Sequence, residues 1–289
     1  MPTSPRIHFA TCCGNGSFQT WDPRTLKVFR GARHDDGVEC LGFADSGNSL
    51  VYATTDRRIR LYDLNGRTHT ANIPIGEKIV RMICTATGGS MAVGTDDGKV
   101  LAFRVSPRSV DSQRSLCKCD GPVTGLRWAD KGEKLLAVSS ADGKCRFVDF
   151  KSGTVKRTLE PNAGGLLGVD VSPDGNLAAV ATFRDGVQVF DLDTGEVTHR
   201  LESGRTSFAV CFSKDGDLLL TGGDNGRILA WKWKDKQAVW AASGLTGRVH
   251  EMHFSDDGLG LIAVSEDGTV RVWNLSQPPR NSGASRLFP

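Results

Sequence analysis

No apolar run in the 289-residue sequence approaches the roughly 18 residues that a membrane span requires. The opening MPTSPR followed by IHFATCC lacks the long apolar core of a secretion signal, so a soluble protein is expected. No CxxC pair occurs among Cys12, Cys13, Cys40, Cys84, Cys117, Cys119, Cys145 and Cys211, and their spacing suits neither a zinc site nor a disulfide framework. Unpaired thiols in a reducing compartment, cytoplasmic or nuclear, follow from that. Cys117 and Cys119 would share one strand face, where a metal or redox pair is the alternative, but they are expected as buried or half-buried structural thiols. Charge of one sign does not dominate either. The 36 basic and 33 acidic residues are interspersed and leave a net +3, which argues against a dedicated nucleic-acid surface.

The signatures of catalysis are missing as well. There is no HExxH, no GxSxG and no phosphate-cradling glycine loop ahead of a helix. The six histidines are scattered, and His250 and His253, three apart on one expected strand, should point to opposite faces. The acidic pairs Asp96-Asp97 and Glu266-Asp267 sit in turns, where adjacent side chains diverge. The glycine-rich GGDNGR at 222–227 falls where a hairpin is expected. No catalytic residue, cofactor or metal is anticipated.

What is abundant is repetition. Aligned on one large residue, the phrases FQTWD (Trp21), IRLYD (Tyr62), VLAFR (Phe103), CRFVD (Val148), VQVFD (Phe190), ILAWK (Trp231) and VRVWN (Trp273) recur at steps of 41, 41, 45, 42, 41 and 42 residues. Six copies are preceded by a tight-turn dipeptide: Asn15-Gly16, Asp97-Gly98, Asp142-Gly143, Asp185-Gly186, Asn225-Gly226 and Asp267-Gly268. Such dipeptides supply the positive φ of a two-residue hairpin. Ahead of the hairpins lie apolar runs such as LLAV and LAAVAT, reached through turns such as SPDG (172–175). Each period therefore holds up to four antiparallel strands, and the chain is expected to be an all-β, seven-bladed β-propeller. One four-stranded sheet cannot bury both faces alone, whereas stacked sheets can, so the phrase aromatics are expected as packing.

These residues resemble the WD40-repeat family over residues 7–275. Trp21-Asp22 is the literal dipeptide; Tyr62-Asp63, Val148-Asp149, Phe190-Asp191 and Trp273-Asn274 are near variants. The resemblance implies a hydrogen-bonded tetrad, which maps nearly complete onto one blade, as His34, Thr54, Asp56 and Tyr62. It also implies a rim built from the entrance of each first strand and the residue before each hairpin Asp. The first-strand positions are Glu39, Thr124, Leu167, Phe208 and His250, with Val80 or Arg81 in the third blade; the hairpin positions include Thr55, Asp96, Arg184 and Glu266. Leu167, Phe208 and Arg184 would place an apolar patch beside a cation, the composition that interface anchors favour, although Leu167 and Phe208 could equally plug the channel.

Three divisions follow: a short N-terminal segment (1–6), the propeller (7–275) and a flexible C-terminal tail (276–289). The first unit has no counterpart of the first strand and the last has none of the fourth, giving 26 strands, two short of seven full blades. An imperfectly closed ring is expected, with the seam as an interaction edge. The function expected is a non-catalytic scaffold or adaptor docking other proteins on its rim, as a subunit of a larger intracellular complex. The alternative is a nucleic-acid-associated, RNA-binding subunit, resting on Arg57-Arg58-Ile59-Arg60 and the basic stretch from Lys27 to Arg33, neither interleaved with exposed aromatics.

Overall fold

A computed structural model describes residues 9–22, 27–202, 206–254, 258 and 260–275; the segments 1–6 and 276–289 lie outside the described residues. The described chain forms 26 strands in seven antiparallel sheets, five of four strands and the first and last of three. Strand order within each sheet follows the chain, so each is an up-and-down meander. This is the seven-bladed β-propeller class, with the short first and last blades that the repeat count predicts.

Blade two shows how sequence becomes blade. Its strands are Val38–Ala44, Ser49–Thr54, Arg58–Asp63 and Thr68–Pro74. The second strand is buried at every position, whereas the fourth is largely exposed or half-buried. A strand covered on both faces reads as a near-continuous apolar run, which is why LVYA and its counterparts do not alternate. The phrase residues Tyr62, Phe103, Val148, Phe190 and Trp231 are all buried, at most 7% exposed. They pack, as the repetition predicts.

The chain divides into two compact units, one of residues 1–126 with 152–154 and the other of residues 127–151 with 155–289. In the first, one cluster gathers Val51, Ile59, Leu61, Met91, Val93 and Phe103. A second gathers Phe18, Leu50, Tyr52 and Tyr62, with the Phe18 ring 4.9 Å from Tyr52 and edge-on to Tyr62 at 5.2 Å. In the second unit Phe147, Leu159, Leu166, Val180 and Phe190 form one cluster, and Trp231 and Trp233 anchor another. All eight cysteines are thiols outside any disulfide, with Cys119, Cys145 and Cys211 buried and Cys117 half-buried. Burial holds the Cys211 thiol well above its ordinary pKa, so it behaves as a small apolar side chain.

The hairpin glycines adopt positive φ as expected, for example Gly98 at 89° and Gly143 at 85°. Blade two breaks this rule, because Arg57 fills the position at φ 63° and donates from Nη1 to the Gly76 carbonyl, 3.2 Å away. A left-handed conformation costs an L-residue roughly 1–2 kcal/mol. Against the loss of that exposed hydrogen bond and the entropy of glycine, Arg57→Gly is expected to stabilise by up to about 1 kcal/mol. The check is the urea midpoint of the variant; a lower midpoint would show the bond to Gly76 to be the larger effect.

Candidate functional site

The strand registers fix where the rim residues stand. At the start of the first strands the ladder skips one residue, a β-bulge that turns that residue out of the pairing and re-aims its side chain. The skipped residues are Glu39, Leu167, Phe208 and His250. In blade three the skipped residue is Val80, while Arg81 stays in the ladder opposite Gly94. That resolves the register against Arg81. Its guanidinium instead binds backbone, Nε donating to the Thr124 carbonyl at 2.8 Å and Nη1 to the Val80 carbonyl at 2.7 Å.

The hairpin positions are tied to the same strand ends. The N–H groups of Thr55, Asp96 and Glu266 donate to the carbonyls of Gly37, Lys78 and Arg248, each the residue just ahead of a first strand. In blade five the equivalent bond comes from Phe183, to Gly165, and Arg184 donates to Ala163 instead. The ladder therefore gives Phe183 the rim position that counting back from Asp185-Gly186 assigned to Arg184. The cause is local: in this hairpin Asp-Gly sits one residue later than in its counterparts, with Gly186 at φ 65°. Phe183 is 60% exposed, an unusual position for a large apolar side chain.

Phe208 has a partner that the sequence did not reveal. The Arg248 guanidinium lies over its ring, 4.0 Å from the centroid, and Arg248 Nε is 3.9 Å from Glu266. A cation over an aromatic face is attracted by the ring quadrupole, so Phe208, Arg248 and Glu266 form one stack. Leu167, on the neighbouring blade, precedes Gly168, where any Cβ would stand 2.8 Å from the Phe208 carbonyl. Glu39 is paired with Lys78 at 3.6 Å.

The tetrad of blade two is assembled differently from the expectation. Thr54 Oγ1 donates to Asp56 Oδ1 at 2.5 Å, but the cation on Asp56 is Arg60, with Nη1 at 2.8 Å and Nη2 at 2.6 Å and a further bond to Thr54. His34 instead accepts the Asp36 N–H on Nδ1 at 3.0 Å, and Tyr62 packs its ring against Phe18 and His69. Arginine wins because its fork meets both carboxylate oxygens at once. Blade four repeats the device, with Arg146 Nη2 2.8 Å from Asp142. Two other blades keep the opposite half of the tetrad: Trp21 Nε1 donates to Thr11 at 2.9 Å, and Trp231 Nε1 to Thr221 at 3.0 Å. A Thr ten residues before the phrase Trp was the legible signal for both.

A second charged cluster joins the first strands of blades four to seven. Arg127 Nε is 3.6 Å from Asp170, and its Nη groups are 3.5 Å from Glu251, which also meets His253 Nε2 at 3.0 Å. Asp170 Oδ2 accepts the Phe212 N–H at 2.7 Å. Burial raises the Asp170 pKa against the opposing pull of Arg127. His253 thus joins this network through Glu251. Among the described residues no group of three or more His, Cys, Asp or Glu is placed to hold a metal, and no helix is long and apolar enough to cross a membrane.

Seven sheets, each built on a copy of the repeated phrase, define a repeat propeller. The WD domain, G-beta repeat family model matches residues 24–63, 195–232 and 238–274, and the anaphase-promoting complex subunit 4 WD40 domain model matches residues 90–169. The chain belongs to the WD40-repeat family. It is 23% identical over 282 residues to telomerase protein component 1 of Mus musculus, covering 93% of this chain and 10% of that protein. It is 22% identical over 275 residues to cilia- and flagella-associated protein 52 of Chlamydomonas reinhardtii, covering 93% of this chain and 44% of that protein. Cell division cycle 20.5, cofactor of APC complex, of Arabidopsis thaliana is 22% identical over 278 residues, with 91% of this chain and 61% of that protein covered. The chain thus spans a tenth of the first of these relatives and under half of the second.

Proposed function

We propose that the chain is a non-catalytic scaffold or adaptor of a larger intracellular complex, docking a protein partner on the rim of blades five to seven. The observation that carries this reading is the exposure of Phe183, with Arg184 beside it and the Phe208–Arg248 stack on the next blade. Aromatic and arginine side chains are the residues that dominate binding energy at protein interfaces, and loops on rigid scaffolds are where recognition concentrates. Leu167, His250 and Glu266 complete the surface in this reading; Glu39, Thr55, Asp96 and Thr124 are the corresponding rim positions within the first compact unit. Relatives named as a complex cofactor and a telomerase component support membership of an assembly. Eight free thiols support a reducing compartment, cytoplasm or nucleus.

The test is a native pull-down of the full chain beside the double variant Phe183→Ser, Phe208→Ala, at two salt concentrations, with thermal melts of both proteins. The expected result is a stoichiometric protein set that the variant loses while its melting temperature stays near that of the parent. Retention of that set by a folded variant, or recovery of nucleic acid alone at low salt, would overturn the reading.

A further inference from the structure

Each hairpin between a second and a third strand closes across four residues, as Ser140 does with Lys144 and Thr182 with Gly186. In six blades the middle residue of that hairpin carries an acceptor side chain: Asn15, Asp56, Asp97, Asp142, Asn225 and Asp267. Those oxygens are engaged inside the blade. Asn15, Asp142, Asn225 and Asp267 accept the N–H two residues on, at 2.9–3.2 Å, while Asp56 and Asp142 also bind Arg60 and Arg146, the second residues of their phrases. Blade five reverses this chemistry. Its middle hairpin residue is Arg184, and the second residue of its phrase is Gln188, uncharged and fully buried.

A cation thus stands where the other hairpins hold an acceptor, and Arg184, which is exposed, makes no ion pair among the described residues. The carboxylates nearby in sequence are otherwise engaged or turned away. Glu160 is held by Lys144 at 2.9 Å and Asp142 by Arg146 at 2.8 Å, and the adjacent Asp185 donates its N–H to Thr182 Oγ1 at 3.0 Å. Outside the described residues the sequence holds two acidic side chains, Asp256 and Asp257, in the connection between the first and second strands of blade seven, whereas a hairpin joins the second and third. The backbone under Arg184 is fixed. The N–H groups of Phe183 and Arg184 donate to Gly165 and Ala163 at 3.0 and 3.2 Å. A Cβ on Gly164 would stand 3.7 Å from Arg184 Cγ and Nε and from Phe183 Cβ, so both side chains leave the hairpin over the same glycine.

Resting on the rim reading above, we propose that Phe183 and Arg184 together select the partner: a protein segment in which an Asp or Glu side chain adjoins an apolar one. The carboxylate meets the guanidinium fork of Arg184, which can bind both its oxygens, and the apolar side chain covers the exposed face of Phe183. Neither contact suffices alone. An ion pair in open water contributes little, whereas one shielded by an apolar neighbour works in a lower dielectric and gains accordingly. The carboxylate that six blades supply for themselves is, in blade five, supplied by the partner.

The probe is a displayed library of random seven-residue peptides, selected on the full chain, on Arg184→Glu and on the double variant Phe183→Ser, Phe208→Ala, with thermal melts to show that each is folded. The full chain is expected to enrich Asp or Glu next to an apolar residue, and Arg184→Glu to enrich Lys or Arg there instead. A fluorescent copy of the enriched peptide, titrated by anisotropy, is expected to bind about tenfold more weakly when its acid is replaced by the amide. Arg184→Gln should weaken the acidic peptide by a similar factor and leave the amide peptide unchanged. Enriched peptides that show no acidic preference, yet are lost in the double variant, would overturn this proposal and leave the rim reading standing. Equal acidic enrichment on Arg184→Glu, or no enrichment at all, would also overturn it, and peptides that every variant binds equally would overturn both.

Discussion

Arg127→Ala is expected to lower stability by about 3–5 kcal/mol, the usual cost of removing one partner from a buried ionic group. The guanidinium stands between Asp170 and Glu251 and keeps 24% of its side chain accessible, while Asp170 keeps 16%. Taking it away leaves Asp170 with the Phe212 and Val171 N–H groups as its donors, in surroundings that already raise its pKa through burial. A carboxyl whose folded pKa is raised contributes stability below its unfolded pKa and loses it as pH rises. The deficit of Arg127→Ala should therefore be largest near neutrality and shrink in acid. Urea midpoints at pH 7 and pH 4 measure both statements; a deficit below about 1 kcal/mol at pH 7 would mean that water, not Arg127, solvates the carboxylates.

The second large effect is in blade two. Arg60→Ala is expected to cost about 2–4 kcal/mol, because Arg60 is 7% exposed and binds Asp56 through two N–H groups. His34→Ala should cost less, since His34 is bonded within the Asp36 turn and otherwise meets Tyr52 and His69 edge-on, at 6.3 and 5.8 Å. Asp56 gives the pH signature. Its hydrogen bonds from Arg60 hold its carboxyl well below the usual range. A depressed folded pKa contributes stability above the unfolded value of about 3.9 that is lost as pH falls through the folded pKa. Asp56→Asn should therefore be less stable than the parent at pH 6, with the gap closing below pH 4. A gap that persists unchanged in acid would assign the effect to packing rather than charge.

The seven-blade plan was legible because it rests on local chemistry repeated at a fixed interval: turn dipeptides, apolar second strands and one large packing residue per phrase. The missing strands at either end could be read in the same way, by counting. Side-chain partners could not. Arg60 and His34 both lie within reach of a hairpin carboxylate, and the choice between them depends on the angle at which each strand delivers its side chain. The rim was half legible. Glu39, Leu167, Phe208 and His250 follow from alignment alone, whereas Arg184 was assigned by counting from Asp185-Gly186, which is displaced by one residue in blade five. Arg248 was missed because it precedes its strand and belongs to no repeated phrase; the network around Arg127 was missed because Asp170 and Glu251 lie dozens of residues away along the chain.

Gly168 has a consequence for how recognition could be tuned. Its lack of a side chain lets the Phe208 carbonyl approach from the next blade, so the position of the ring proposed above as an anchor depends on a buried residue of the neighbouring blade. Selection or engineering acting on residue 168 would change the fit of the anchor, and so the lifetime of a complex, while the surface that a partner meets kept its composition unchanged.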